Sequence, residues 1–210
     1  MDIKKFIKDL DIQLLVEIGC HNGDDTKSFA YMHPNARIVC FEPDPRNLAL
    51  LEKKKIKYIA EIYPFAVSNT NGTATFFQSS GVVPVPELAK EMGDWSLSSS
   101  LKVPTRHLDI HPWCKFESEV IVKTICLDDF EPLKNTKIDF MWVDVQGAED
   151  LVFSGAIETL KNTRYVYTEY SNLEVYQGQL NRDQILTMFG PNWRMLHDFG
   201  GDVLLQNVTF

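Results

Sequence analysis

Short apolar runs alternate along this chain with longer stretches of helical periodicity. The run at 14–18 is apolar except for Glu17, and the run at 37–41 is apolar after Arg37. Runs of this kind suit strands covered on both faces, as in parallel sheets. Between and after them, residues 24–32 and 45–55 carry helix signals, with a short amphipathic helix at 2–10 and a third strand at about 62–67. Asn69-Thr70-Asn71-Gly72 marks a turn, and 73–77 is β-prone and predicts an accessory strand. Further on, 119–124 and 138–143 read as strands, 149–161 as a helix closed by Asn162, 165–168 as a strand with Glu169 at its tip, and 181–189 as a helix stopped by Gly190-Pro191. Residues 193–199 and 202–206 flank Gly200-Gly201, a two-residue hairpin signal that makes the last two strands antiparallel neighbours. Strand–helix alternation of this kind predicts one α/β domain over 1–210, with a doubly wound, mostly parallel sheet ending in an antiparallel hairpin.

Residues 79–118 break the alternation. They hold Pro84, Pro86, Pro104 and Pro112, the triplet Ser98-Ser99-Ser100, two histidines and two tryptophans. A stretch this long and irregular inside a compact domain predicts a functional lid, and its aromatic content argues against disorder.

Composition narrows the function classes. The chain has 210 residues, 44% hydrophobic and 24% charged, within the ordinary globular range. Its net charge of −8 counts against nucleic acid as a partner, because phosphate binding needs a basic field. No apolar run reaches the length of a membrane span, so no membrane association is expected. Cys20, Cys40, Cys114 and Cys126 form no C-x-x-C pair, and a reducing cytoplasm is the expected compartment.

The first strand runs into Gly19-Cys20-His21-Asn22-Gly23-Asp24-Asp25-Thr26, a glycine-hinged loop that opens a helix. The second strand ends at Glu42-Pro43, where an acid is placed to accept hydrogen bonds from both hydroxyls of a ribose. Together they indicate an adenosine-bearing cofactor. A dinucleotide turn wants three glycines, and only Gly19 and Gly23 are present. Glu17, Asp24 and Asp25 crowd the loop, which would repel a pyrophosphate and suit a ligand carrying an ammonium and a sulfonium, S-adenosylmethionine.

The chain resembles the FkbM-type family of class I S-adenosylmethionine-dependent methyltransferases over about residues 14–206. The resemblance rests on Glu17-x-Gly19-x-x-x-Gly23, Phe41-Glu42-Pro43, Ala66-Val67-Ser68 with 72–77, Ser98-Ser99-Ser100-Leu101, Leu127-Asp128-Asp129-Phe130, and above all 138–149, which contains Asp144-Val145-Gln146-Gly147-Ala148-Glu149. It implies a seven-stranded sheet with the last strand inserted antiparallel, and O-methylation of a sugar or hydroxylated natural product. Two positions depart from the family pattern: Cys20-His21 stands where Ala-Asn is more frequent, and Gln146 where Glu is.

The expected cofactor site comprises Glu17 as an anchor of the amino group, Gly19, His21, Asn22, Gly23, Thr26, Glu42, Pro43, Ala66, Val67, Ser99, Ser100, Asp144 and Gln146. Asp144 is the candidate base or orienting acceptor, with a helix cap as its plainer reading; Glu169 is the alternative base. His107, His111, Trp113 and Glu149 are candidate acceptor-site residues, with no metal expected. Two other functions compete: an NAD-dependent oxidoreductase or epimerase, and a cofactor-binding module without activity. The oligomeric state is not legible.

Overall fold

The computed structural model describes the backbone of residues 1–210 and all side chains except those of 88, 91 and 92. Its strands in chain order are β1 (Leu14–Ile18), β2 (Arg37–Phe41), β3 (Glu61–Tyr63), β4 (Ala66–Val67), β5 (Gly72–Gly81), β6 (Cys114–Ile125), β7 (Ile138–Val143), β8 (Thr163–Glu169), β9 (Trp193–Asp198) and β10 (Asp202–Asn207). The helices are α1 (Ile3–Lys8), α2 (Asp24–Met32), α3 (Pro45–Lys53), α4 (Pro86–Met92), α5 (His107–Ile110), α6 (Glu149–Ser154), α7 (Ile157–Lys161) and α8 (Arg182–Phe189).

Seven strands form one sheet in the order β3-β2-β1-β7-β8-β10-β9. All neighbours are parallel except β10, which runs antiparallel to both β8 and β9. Every residue of β1 is buried, because its two faces serve two cores. Val16 and Ile18 join Val39, Phe41, Met141 and Val143 on one face, over which Val152, Phe153, Ile185 and Phe189 pack from α6 and α8. Leu15 joins Ile38, Cys40 and Phe140 on the other, covered by Ile7, Phe29 and Leu51 from α1, α2 and α3. The order reverses between β1 and β7, so the loops leaving these two strands diverge and open a crevice at their C-terminal tips, the usual ligand position in such sheets.

Four sequence expectations are corrected. The strand expected at 62–67 is two strands in two sheets: Pro64 has no N–H for a ladder, β3 stops at Tyr63, and β4 pairs with β6 in a second sheet ordered β4-β6-β5. The helix expected at 149–161 breaks at Gly155, where an added Cβ would lie 2.1 Å from the Ser68 carbonyl oxygen. The Asp128 carboxylate then caps α7 by accepting from the N–H groups of Glu158 and Thr159, at 3.0 and 2.8 Å. The helix expected at 45–55 stops at Lys53. Finally, the irregular stretch 79–118 is in part a long hairpin. β5 extends to Gly81 and β6 begins at Cys114, leaving 82–113 as the true excursion.

Candidate active site

The loops after β1 and β7 are stitched together. The Asp144 N–H donates to the Ile18 carbonyl at 3.0 Å, and the Gly19 N–H to the Phe41 carbonyl at 2.9 Å. Gly19 sits at φ +90°, and a Cβ there would lie 1.8 Å from the Asp144 carbonyl oxygen. Glycine is therefore demanded by the neighbouring strand tip as well as by the turn. Gly19→Ala should destabilise the protein by about 3 kcal/mol or more, read as a fall in the midpoint of chemical denaturation. An unchanged midpoint would contradict the close approach. His21 and Gln146, one in each loop, also hold positive φ, at 47° and 53°, the kind of backbone strain that collects at functional sites.

Between these loops lies an open cleft whose empty space, including the solvent at its mouth, is about 600 Å³. Its apolar lining includes Phe65, Ala66, Val67, Phe76, Leu97 and Leu101; its polar lining is Glu42, His21, Asn47, Ser96, Ser99, Asp144 and Gln146. No lysine or arginine is among the described lining residues.

Glu42 is fixed by three donors. The His21 N–H reaches Oε2 at 2.8 Å, while the Asp44 N–H and the Asn47 amide reach Oε1 at 2.9 and 3.2 Å. Burial pushes its pKa up to about 7 against the pull of these donors. The network continues into the excursion: Ser96 Oγ donates to Asn47 Oδ1 at 3.0 Å and lies 2.7 Å from His21 Nε2. Because that hydroxyl proton goes to Asn47, Ser96 must accept from His21, which fixes the Nε2–H tautomer. Burial holds the His21 pKa down at about 4, so the ring is neutral through physiological pH. Ser96→Ala leaves the His21 N–H and the Asn47 carbonyl without their partner. A roughly tenfold loss of affinity for the ligand held by Glu42 is expected, about 1 to 1.5 kcal/mol, measured calorimetrically. Unchanged affinity would disconnect the excursion from the site. A second tie runs through Arg46, which forks onto Asp44 and donates to the Ser79 carbonyl at 3.0 Å.

At the tips of β7 and β8, Gln146 bridges two acids: its amide donates to Asp144 Oδ1 at 2.7 Å and to Glu169 Oε2 at 3.1 Å. Asp144 opens onto the cavity, yet desolvation and the nearby Asp202 and Asp25 raise its pKa to about 6. Glu169 is half-buried; desolvation, then Asp144, Glu149 and Asp202, lift it to about 9. Of the two acids, Glu169 is pushed further toward its protonated form, and Asp144 is the one that opens onto the cavity.

The structure brings together Gly19, His21, Glu42, Pro43, Ala66, Val67, Ser99, Asp144 and Gln146 around this cavity. It sets the other candidates apart. Glu17 faces the α2 side of β1, where it accepts from Thr26 Oγ1 at 2.6 Å; burial raises its pKa to about 8 and leaves it mostly uncharged. Asp24 pairs with Lys54 and Asp25 with Lys4, so the crowd of three acids expected around the loop is replaced at the cavity by Glu42 and Asp144. Asn22 caps the Asp24 N–H, and Gly23 makes room for Leu51 and Ile56. Ser100 is fully buried and its main chain pairs with Phe77. Glu149 is buried and accepts the Gly147 N–H at 3.2 Å. His107, His111 and Trp113 sit in an aromatic cluster with Phe116 and Tyr176, outside the cavity lining. Asn47, Ser96 and Arg46 carry the network and went unnoticed in the sequence. Only Asn47 had a local signal, lying five residues beyond Glu42 in the first turn of α3.

Against known proteins, residues 17–202 match the methyltransferase FkbM domain. The chain belongs to the FkbM methyltransferase family. This methyltransferase is 36% identical over 207 residues to the 2-O-methyltransferase NoeI of Sinorhizobium fredii, spanning 93% of this chain and 79% of that relative. Among solved structures it is similar to a Clostridium thermocellum protein provisionally assigned as an rRNA methylase, with TM-score 0.56 and 8% identity over 98% of this chain and 93% of the other. A Staphylococcus aureus protein provisionally assigned as a caffeoyl-CoA O-methyltransferase matches at TM-score 0.50 and 11% identity, over 98% and 80%. At such identities the likeness is one of fold, the class I methyltransferase fold. Family and fold together imply use of S-adenosylmethionine. Among the described residues, no helix is long and apolar enough to cross a membrane.

Proposed function

We propose that this methyltransferase moves the methyl group of S-adenosylmethionine to a hydroxyl oxygen of a small acceptor, a sugar or similar hydroxylated molecule, with Asp144 as general base. The observation that carries the reading is the pairing of Glu42 and Asp144 across one cavity whose described lining holds no lysine or arginine. The residues present fit the cofactor. Glu42 offers a carboxylate to ribose hydroxyls, the apolar lining suits an adenine ring, and the acids suit a ligand whose ammonium and sulfonium are both positive. A nicotinamide dinucleotide would bring a pyrophosphate to the same acids, and the family match also stands against that alternative.

When bound, S-adenosylmethionine would supply an electrophilic methyl carbon, with its neutral thioether as the leaving group. The chain's own contribution is positioning and proton management. Gln146 holds the Asp144 carboxylate toward the cavity, and Asp144 takes the hydroxyl proton as the new C–O bond forms. Ser96, Leu97, Ser99 and Leu101 wall the cavity from the excursion 82–113, which supports reading that stretch as a lid. O-methylation is supported by the name of the relative NoeI. Four free, buried cysteines suit a reducing, cytoplasmic setting.

Calorimetric titration separates the readings. Micromolar binding of S-adenosylhomocysteine with no detectable binding of NAD is expected; the reverse would overturn the proposal.

A further inference from the structure

The methyl-transfer reading puts the proton acceptor on the loop after β7, and the sheet pins that loop at its first residue. The Asp144 N–H is held by the Ile18 carbonyl at 3.0 Å, whereas Gln146 and Gly147 beyond it turn at positive φ, 53° and 90°. Tyr176, in the segment after β8, closes on this turn from outside. A Cβ on Gly147 would lie 2.8 Å from Tyr176 Cβ and Cδ2, so the tyrosine rests directly on the glycine backbone. Tyr176 is 2% exposed, and its hydroxyl donates to the Ser98 carbonyl at 2.7 Å. A ring wanted only to fill space would cost less as phenylalanine. Here a phenol is taken out of water and aimed at one acceptor.

Ser98 opens the serine triplet, and the residues around it serve the other half of the site. Ser96 meets His21 and Asn47 beside Glu42, and the Ser98 N–H donates to Ser79 Oγ of β5 at 3.1 Å. The segment 96–100 therefore keeps its seat on β5 without Tyr176, while Tyr176 ties the turn at 146–147 to that segment. The chain on either side of the tyrosine is laced to the excursion as well. The Thr105 N–H donates to the Val175 carbonyl and the Gln177 N–H to the Val103 carbonyl, each at 2.9 Å. We propose that Tyr176 is a positioning residue for methyl transfer. Through Gly147 it fixes Gln146, whose amide reaches Asp144 Oδ1 at 2.7 Å, and so holds the base in register with the excursion that walls the cavity. This inference rests on the reading of Asp144 as general base, and it adds the residue that aims it.

The test compares methyl transfer from saturating, methyl-labelled S-adenosylmethionine into one heat-treated lysate by four proteins: wild type, Tyr176→Phe, Asp144→Asn and the double variant. Tyr176→Phe should bind S-adenosylhomocysteine within about twofold of wild type, which also shows that it is folded. It should transfer methyl at least fivefold more slowly. In the Asp144→Asn background the same change should cost less than twofold, because the base that Tyr176 positions is gone. A residue that merely supports the fold would cost the same in both backgrounds. Equal costs would therefore overturn the inference, as would an undiminished rate in Tyr176→Phe or a loss of affinity as large as the loss of rate. Tyr176→Leu, which takes the ring off Gly147, is the second variant. It should lose more rate than Tyr176→Phe, and again less than twofold in the Asp144→Asn background; a smaller loss than that of Tyr176→Phe would count against the contact with Gly147 and overturn the inference. Asp144→Asn as fast as wild type is a separate result: it would remove the general-base reading, and this inference with it.

Discussion

Replacing Glu42 with alanine is expected to weaken S-adenosylhomocysteine binding at least a hundredfold. The loss has two parts. Two charge-assisted hydrogen bonds to the ribose disappear, at about 1.5 to 3 kcal/mol each, and the buried donors of His21, Asp44 and Asn47 lose their acceptor. Glu42→Gln keeps the volume, presents one amide oxygen in place of two, and should fall between. The wild-type protein carries a matching pH dependence. Burial raises the folded-state pKa of Glu42 to about 7, so the carboxylate that accepts hydroxyl protons is the form present above that pH. Affinity should therefore hold above pH 7 and decline below it, approaching a tenfold loss per unit, and the Glu42→Gln variant should lose that slope. Calorimetry across pH 5.5 to 8 reads both, and a flat wild-type profile would remove Glu42 from the ligand.

The second large effect belongs to Asp144. Asp144→Asn should lower kcat by about 10² to 10⁴ while S-adenosylhomocysteine affinity changes less than threefold, the pattern of a lost general base. Glu169→Gln should cost less than tenfold, because burial and the neighbouring acids already push Glu169 toward its protonated form. The sign of the pH profile follows from the raised pKa of Asp144. The base works ionised, so kcat rises with pH, bends near 6 and is level above. Asp144→Asn should abolish the bend. If instead Glu169→Gln carried the large loss, the two acids would exchange roles.

How much of this was legible in the chain depends on distance along it. The β1 loop, Glu42 and Asp144 could be read because each directly follows a strand, and a sheet with alternating crossovers brings strand ends to one crevice. Glu17 behaves differently: with a period of two it shares its face with Leu15, under α2, and accepts from Thr26 Oγ1 away from the cavity lining. The second sheet was harder. Pairs such as Thr73 with Lys123 join residues far apart in the chain, and nothing local in 79–81 or 114–118 announces a hairpin across the excursion. Ser96 belongs to the same class: it reaches His21 and Asn47 from an irregular segment whose path is set by packing. The chemistry of Trp113, His107 and His111 suggests an acceptor site, and packing places them in an aromatic cluster outside the cavity lining.

The most direct test of the central claim is the position of the transferred methyl group. Purified protein supplied with S-adenosylmethionine labelled with ¹³C in its methyl group, and with a lysate, should produce a methyl ether, identified by the ¹³C shift of a methyl on oxygen and formed at least a hundredfold more slowly with Asp144→Asn. Label on nitrogen or carbon, or equal labelling by Asp144→Asn, would contradict the account.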